Sequence, residues 1–180
     1  MRTCIRELRP HKSAIPILNG NLANVIDLKA RANQAHWNGK EPKFCDLEPM
    51  FDEFCAELEL TASELGKRIM ALGGVGVRTA AGVATMTRLQ ADPVTAKAGE
   101  HLNNLIDRYR LAVLSAYKAV VLVAEADDRT SAELLTRLVD LLEKQLAVIE
   151  VQTRRRDLMD HDGLLGAESR VSTCSHAALS

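Results

Sequence analysis

The chain has 180 residues, which is enough for one domain around a single apolar core. Hydrophobic residues make up 47% of it and aromatic residues only 3%, so Leu, Ala and Val supply most of the apolar mass and favour packed helices. The formal net charge of −1 excludes an overall field that would attract nucleic acid, so any such binding needs a local patch.

The sequence carries no signal for a membrane or for secretion. No apolar run approaches the roughly 20 residues that span a bilayer, and the N-terminal residues lack the apolar segment of a signal peptide. The four cysteines are scattered without CxxC or zinc-like spacing, which is typical of reduced thiols. We therefore expect a cytoplasmic protein that has no membrane partner.

Residues 1–15 form a basic arm in which four cations oppose a single acid, Glu7. The cations are Arg2, Arg6, Arg9 and Lys12. A charge run this short is usually a flexible, solvated tail. Repeated over the surface of an oligomer, it would instead contact DNA phosphates without sequence preference, and both interpretations stay open.

Two long helices are predicted in the first half of the chain. Pro16 opens the first, and apolar residues at helical spacing carry it to Asn38-Gly39, a typical helix end. The second begins after Asp46, a candidate cap, and continues to about Leu72. A glycine-rich stretch then stops it.

A long connection follows, and residues 79–89 are predicted to hold a short helix within it. Asp92-Pro93 is a cap followed by a first-turn proline, and it starts the third long helix. Residues 130–133 read Thr-Ser-Ala-Glu, a capping box that starts the fourth, which is predicted to end at about Arg154.

These elements predict an all-α fold, namely a four-helix bundle over residues 16–155 with one long crossover that carries a short helix. Residues 156–180 are polar, contain two glycines and are predicted as a flexible tail. No strand pattern competes with the helical one.

Several short segments match one protein family in order along the chain. They are Gln34-Ala-His-Trp-Asn38, Met50-Phe-Asp-Glu-Phe54, Leu72-Gly-Gly-Val75, Asp107-Arg-Tyr109 and Glu143-Lys144. Through them the chain resembles the Dps family of ferritin-like proteins over roughly residues 17 to 152. The resemblance implies a ferritin-like bundle, a homo-oligomeric hollow shell of twelve subunits, oxidation of ferrous iron and non-specific binding of DNA.

The resemblance also implies an iron-oxidising site between two subunits related by a twofold axis. The ligands of one subunit fall on His36, Glu48 and Asp52, where Glu48 replaces a second His of the family. The partner's Asp and Glu fall on Ser63 and Lys67. In an antiparallel twofold pairing of identical helices, the numbers of contacting positions have a constant total. The pairs 52 with 63 and 48 with 67 meet this condition, so the two substitutions belong to one consistent pairing.

Sites of this kind need anionic oxygen ligands to hold and neutralise iron. Ser63 removes one charge, and Lys67 places a cation where iron would sit, which repels a divalent ion at ~4 Å by roughly several kcal/mol. We therefore expect little or no iron binding and assign no catalytic residue. A salt bridge from Lys67 to Glu48 and Asp52 of the neighbouring subunit is predicted in place of the metal.

Two alternatives remain open at the level of function. In the first, the protein is an active ferroxidase whose ligands are rearranged, with Glu59 or Glu64 joining His36, Glu48 and Asp52. In the second, it is a structural or DNA-compacting shell without iron chemistry.

Four acidic residues surround the turn between the last two long helices: Glu125, Asp127, Asp128 and Glu133. In Dps-like shells this region is similar to an acidic threefold pore that admits cations. The alternative is a capped surface turn, to which Glu133 contributes through the capping box.

Overall fold

The computed structural model describes residues 13–38, 47–89 and 98–173, and it describes only the backbone of residues 36, 38, 98, 99 and 156–173. Five helices make up this part of the chain: α1 (Ala14–Asn38), α2 (Glu48–Ala71), α3 (Ala80–Met86), α4 (Ala98–Glu125) and α5 (Arg129–Thr173). No strand occurs within these ranges. The predicted all-α bundle, with a short helix in its one long crossover, is confirmed. No described helix is long and apolar enough to cross a membrane.

The core is built from one apolar stripe on each long helix, and α2 shows the pattern clearly. Its buried residues are Phe51, Phe54, Leu58, Leu65 and Ile69, which follow helical spacing and therefore share one face. The two phenylalanine rings meet edge to face with centroids 6.4 Å apart, a favourable arrangement of aromatic quadrupoles. Each fully buried side chain of this size contributes about 1.5–3 kcal/mol to folding.

The start of α2 differs from the prediction. Its N-cap position is Leu47, whose side chain makes no capping hydrogen bond, whereas the predicted cap Asp46 lies outside the described residues. Pro49 occupies the first turn, where its missing N–H would have had no helical partner. At the other end Gly73 is left-handed at φ 79°, and the next amide, that of Gly74, donates to the Ile69 carbonyl over 2.9 Å, which closes the helix.

Two buried asparagines of α1 hold the crossover against the bundle. The Asn19 amide donates to the Val75 carbonyl over 3.0 Å and accepts from the Val77 amide over 2.8 Å. The Asn24 carbonyl oxygen accepts from the Arg88 amide over 2.9 Å. Each side chain satisfies backbone groups of an irregular segment that have no helical hydrogen-bond partner.

The last helix continues beyond its predicted end near Arg154, because α5 stays helical to Thr173. That predicted helix end is wrong. Residues 156–173 contain Arg, Leu, Met, Ala and Glu, which favour helices. Gly163 and Gly166 each disfavour a helix by only about 1 kcal/mol and do not stop it. The division of the chain at residues 15 and 155 into arm, bundle and tail stays a prediction.

Candidate metal centre and subunit interface

The register of the antiparallel α1–α2 pair is set by two contacts. The Lys29 Nζ lies 2.7 Å from Glu59 Oε2, and the Cys55 Sγ donates to Asn33 Oδ1 over 3.1 Å. A four-residue step along α1 therefore corresponds to a four-residue step back along α2. This register shows which residue of α2 lies beside a given residue of α1.

The predicted site residues fall into two separate groups within one subunit. The register brings the backbone of His36 level with Asp52, although the His36 side chain lies outside the described part of the chain. Glu48 and Asp52 are exposed one turn apart near the start of α2, whereas the half-buried Ser63 and exposed Lys67 are one turn apart in its second half. Asp52 and Ser63 are eleven residues apart, or about 16 Å at the helical rise. These two groups cannot meet in one subunit, so only a second copy can bring them together.

Within the described residues of one subunit, no three His, Cys, Asp or Glu side chains converge as a metal site would require. The ammonium of Lys67 has no ion-pair partner in its own subunit among the residues that the structure describes.

Ser63 and Lys67 border a groove of about 380 Å³, which we call the Lys67 groove. Its floor is mainly apolar and comes from α1, α2 and the connection after α2: Leu22, Ile26, Ala62, Gly66, Gly76 and Val77. Lys67 and Arg78 also line it, together with Glu59, whose carboxylate lies 3.3 Å from Arg78. The groove therefore combines an apolar floor with a small excess of positive charge.

The two carboxylates of the rearranged-ligand alternative are bound by cations of their own subunit. Glu59 accepts from Lys29 at 2.7 Å and lies 3.3 Å from Arg78, and the Lys29 hydrogen bond holds the Glu59 pKa below its usual range. Glu64 lies 3.5 Å from Arg137. A ferroxidase that recruited either one would first have to break these exposed contacts, which costs about 0–1 kcal/mol each.

Asp128 does not line an open surface, and this corrects its assignment to a pore. Only 2% of its surface is exposed. Its carboxylate accepts from the Ser131 amide over 3.1 Å and from the Ser131 hydroxyl over 2.6 Å, and it lies 2.6 Å from the Arg68 guanidinium. Burial acts to raise the Asp128 pKa, but the Ser131 hydrogen bonds and the Arg68 charge outweigh it and lower the pKa.

Asp128 is therefore the cap of α5, and the predicted capping box over residues 130–133 is wrong. Arg68 completes the cap, since its Nε donates to the Ser131 hydroxyl over 2.9 Å. The three side chains link the end of α2 to the start of α5. The two positions that the box would have used, Thr130 and Glu133, already lie inside α5, at its second and fifth residues.

The other three acidic residues of the turn differ in their surroundings. Asp127 is left-handed at φ 58° and closes α4, with its amide donating to the Ala124 carbonyl over 3.0 Å. Glu133 is exposed and lies 3.6 Å from Arg129, while Glu125 is exposed at the end of α4. In one subunit this is a capped surface turn. A pore role for Glu125, Asp127 and Glu133 stays a prediction.

A buried polar network between α2, α4 and α5 was missed at the sequence level. The Tyr109 hydroxyl donates to Gln145 over 2.8 Å, and the Gln145 amide donates to Glu57 over 2.8 Å. Tyr109 and Gln145 are completely buried, and burial raises the Tyr109 pKa far above its usual range. The sequence does contain a signal for this network, because Gln145 is a polar residue on the apolar stripe of α5.

The predicted DNA-binding residues, Arg2, Arg6, Arg9 and Lys12, lie outside the described residues. DNA binding by the arm therefore stays a prediction.

A family model described as a ferritin-like domain matches residues 15–159. With the four long helices and their crossover, this match defines the class of protein as ferritin-like. The DNA protection during starvation protein of Agrobacterium fabrum is 34% identical over 145 residues, which cover 80% of this chain and 90% of the relative.

Solved structures give the same fold. Dps from Thermosynechococcus elongatus superposes with a TM-score of 0.73 at 22% identity, covering 78% of this chain and 90% of that one. Dps from Vibrio cholerae, described as a member of a broad superfamily of ferritin-like diiron-carboxylate proteins, has a TM-score of 0.72 at 20% identity, covering 79% and 89%. The chain belongs to the Dps family of ferritin-like proteins, as the sequence resemblance predicted.

Proposed function

We propose that this protein assembles as a cytoplasmic, Dps-type shell of twelve subunits that sequesters iron and protects DNA, with ferroxidase activity weakened or lost at the intersubunit site. Family membership and the name of the Agrobacterium relative support the general role. The weakened oxidation rests on this chain's own residues.

The observation that carries the proposal is Lys67, a cation with no ion-pair partner among the described residues of its own subunit. Twofold pairing of α2 would bring Lys67 to Glu48 of the neighbouring subunit, and the family resemblance implies an iron-binding carboxylate at the position that Lys67 occupies. Glu48 and Asp52 retain oxygen ligands, but Ser63 offers a neutral hydroxyl and Lys67 a fixed positive charge. At ~4 Å a ferrous ion and an ammonium repel by roughly several kcal/mol at an intermediate dielectric. This donor set does not fit a di-iron centre.

In place of the metal, the Lys67 ammonium binds the carboxylates of Glu48 and Asp52 across the twofold interface. Exposed ion pairs contribute about 0–1 kcal/mol, and pairs covered by an interface depend more strongly on geometry. The contact would join the two subunits without a metal ion.

Iron oxidation tests the proposal through a matched pair of variants. The assembled wild-type protein is titrated with ferrous iron without oxygen, and peroxide is then added while ferric absorbance is followed. We expect slow oxidation without a stoichiometric end point.

The variant Ser63→Asp with Lys67→Glu restores both carboxylates and should gain a rapid, stoichiometric phase. Ser63→Ala with Lys67→Ala removes the cation without adding ligands and serves as the control. Rapid stoichiometric oxidation by the wild type would contradict the proposal and favour the rearranged-ligand alternative.

DNA protection depends on the basic arm. Each arm neutralises a few phosphates, and many arms on one shell bind together, so affinity should fall steeply with salt. In a gel-shift assay we expect retarded DNA at low salt and loss of the shift after deletion of residues 1–14. An unchanged shift after the deletion would refute the role of the arm. If full-length protein never retards DNA, a purely structural shell is favoured.

A further inference from the structure

We propose that the outward face of α4 is a docking surface for α4 of a second copy of the chain. The two helices pair in opposite directions and join one assembled particle to another. This contact goes beyond the proposed function, because it uses neither the candidate metal centre nor the surface of α2.

The outward face of α4 carries an apolar stripe, separate from the one that enters the core. Its five large apolar side chains are between 38% and 57% exposed: Leu111, Leu114, Tyr117, Val121 and Leu122. Single exposed apolar residues are ordinary on a soluble protein, but a continuous row of them marks an interaction surface. We call this row the α4 stripe.

The spacing along this face is typical of a helix that pairs with another helix. Positions 107, 111, 114, 118, 121 and 125 follow one another in alternating steps of four and three residues. This is the heptad pattern, in which one seam of side chains faces a partner helix. Tyr117 and Leu122 lie beside the seam and widen it.

Two charges on the seam are placed for an antiparallel partner. Lys118 is exposed and has no ion-pair partner among the residues of its own subunit that the structure describes. The Asp107 side chain is 64% exposed, and its own contact is with Arg110 at 3.3 Å. The acid lies in the first half of α4 and the cation in the second. Two α4 helices that run in opposite directions therefore bring each Lys118 to an Asp107.

One register satisfies the apolar and the charged positions together. When Leu111 faces Leu114 of the second copy, Lys118 faces Asp107, and the twofold axis repeats both contacts. A shift by seven residues keeps the seam, but it sets Asp107 against Glu125 in one direction and against Leu111 in the other. Each shift also separates the leucines, so this register is the most complementary one.

A single pair of α4 helices should associate weakly. One helix face is smaller than a standard interface, which buries about 800 Å² on each partner. Towards the ends of the pair Val121 faces Asn104. Glu125 faces Glu100 there, and these like charges oppose association. Because an assembled particle carries many α4 faces, several weak contacts act together between two particles.

The α4 contact is compatible with pairing through α2. Both α1 and α5 pack against α2 and against α4, so α2 and α4 lie at opposite corners of the bundle. The outward face of α4 therefore points away from Lys67 and its groove. A subunit can use α2 within one particle and α4 towards another.

Light scattering of the assembled, nuclease-treated protein tests the proposal on the full chain. We expect wild-type particles to associate beyond the size of a single shell as the concentration rises. Leu111→Gln with Leu114→Gln should weaken this association about tenfold. Val151→Gln is the matched control, because Val151 is an apolar residue of α5 that is 60% exposed and lies outside the stripe. It should associate as the wild type does.

Exchange of the two charges distinguishes this pairing from non-specific aggregation. Lys118→Asp sets acid against acid, and Asp107→Lys sets cation against cation. Particles of either variant should therefore associate about tenfold more weakly than the wild type. In a mixture of the two variants, unlike particles recover both ion pairs. We expect the mixture to scatter more strongly than either variant alone at the same total concentration.

Four results would overturn the proposal. The first is wild-type particles that stay single at every concentration, and the second is association that the leucine variants leave unchanged. The third is a mixture of charge variants that scatters as the mean of its components. The fourth is a leucine variant that folds, by circular dichroism, but falls apart into subunits, since α4 would then act within one particle. Sedimentation of dilute wild type tests the shell itself, so a failed shell and a failed α4 contact are told apart.

Discussion

Lys67 and Arg68 are neighbouring cations on α2 with opposite surroundings. The Arg68 side chain is 21% exposed and binds Asp128 over 2.6 Å and Ser131 over 2.9 Å. Lys67 is exposed and, among the described residues of its subunit, has no ion-pair partner. Because successive helical residues point about 100° apart, one helix can direct one cation inwards and the next outwards. The contrast suggests that Arg68 stabilises the subunit and Lys67 acts between subunits.

The largest expected effect separates the two cations by folding stability. Arg68→Ala leaves the buried Asp128 carboxylate without its cation and should lower the free energy of unfolding by about 2–3 kcal/mol. Lys67→Ala should change it by less than about 0.5 kcal/mol. Urea denaturation of dilute, chelator-treated monomer measures both. Equal losses for the two variants would remove the contrast.

A second inward polar contact of α2 extends the comparison. Tyr109→Phe deletes the hydroxyl that donates to Gln145, which in turn donates to Glu57 on α2. The buried Gln145 oxygen then lacks a donor, so we expect a loss of about 1–2 kcal/mol in the same denaturation experiment. The exposed Tyr117→Phe serves as the matched control and should unfold almost as the wild type does. A Tyr109→Phe curve that overlays the wild type would show that inward polar contacts do not matter as a class.

Assembly should respond to Lys67 alone. Lys67→Glu sets like charges against Glu48 and Asp52 of the neighbouring subunit, and we expect about tenfold weaker association, or about 1.4 kcal/mol. Combining it with Glu48→Lys exchanges the charges and should recover part of the loss. Sedimentation across a dilution series measures the change. If the single variant assembles as tightly as the wild type, Lys67 has no interfacial role.

The pH dependence of stability sharpens the comparison further. The folded pKa of Asp128 is depressed, so its contribution is present above the ordinary carboxyl pKa of about 4 and is lost as pH falls through the lower folded value. Asp128→Asn removes this titration, so its stability should fall less steeply than that of the wild type as the pH drops below about 4. Thermal unfolding at a series of pH values tests this. A slope equal to that of the wild type would assign the acid sensitivity to other carboxylates.

Helical periodicity and punctuation predicted the four long helices and the short one, because those signals are local. The α5 cap was misplaced, since Asp128, Thr130 and Ser131 can all cap a helix. The choice of Asp128 depends on Arg68, sixty residues earlier, which no local pattern reveals. The α5 end was also misplaced, because two glycines are too weak to stop a helix.

The candidate site was less accessible from sequence. Residue types and family resemblance identified the Ser63 and Lys67 substitutions. Sequence could not reveal that Glu59 and Glu64 are bound by Lys29 and Arg137, because those contacts come from packing between helices. It also could not reveal the Lys67 groove, which forms only when the crossover packs on α1 and α2.

The contact between Arg68 and Asp128 also bears on the order of folding. It joins the α1–α2 hairpin to the α4–α5 hairpin across sixty residues of chain, so the loop that it closes costs more entropy than the loop within either hairpin. We therefore expect it to form late in folding, so that Arg68→Ala should speed unfolding and leave the folding rate almost unchanged, as unfolding and refolding kinetics would measure. One ion pair at the end of the bundle would thus set how long a subunit stays folded, rather than how fast it folds.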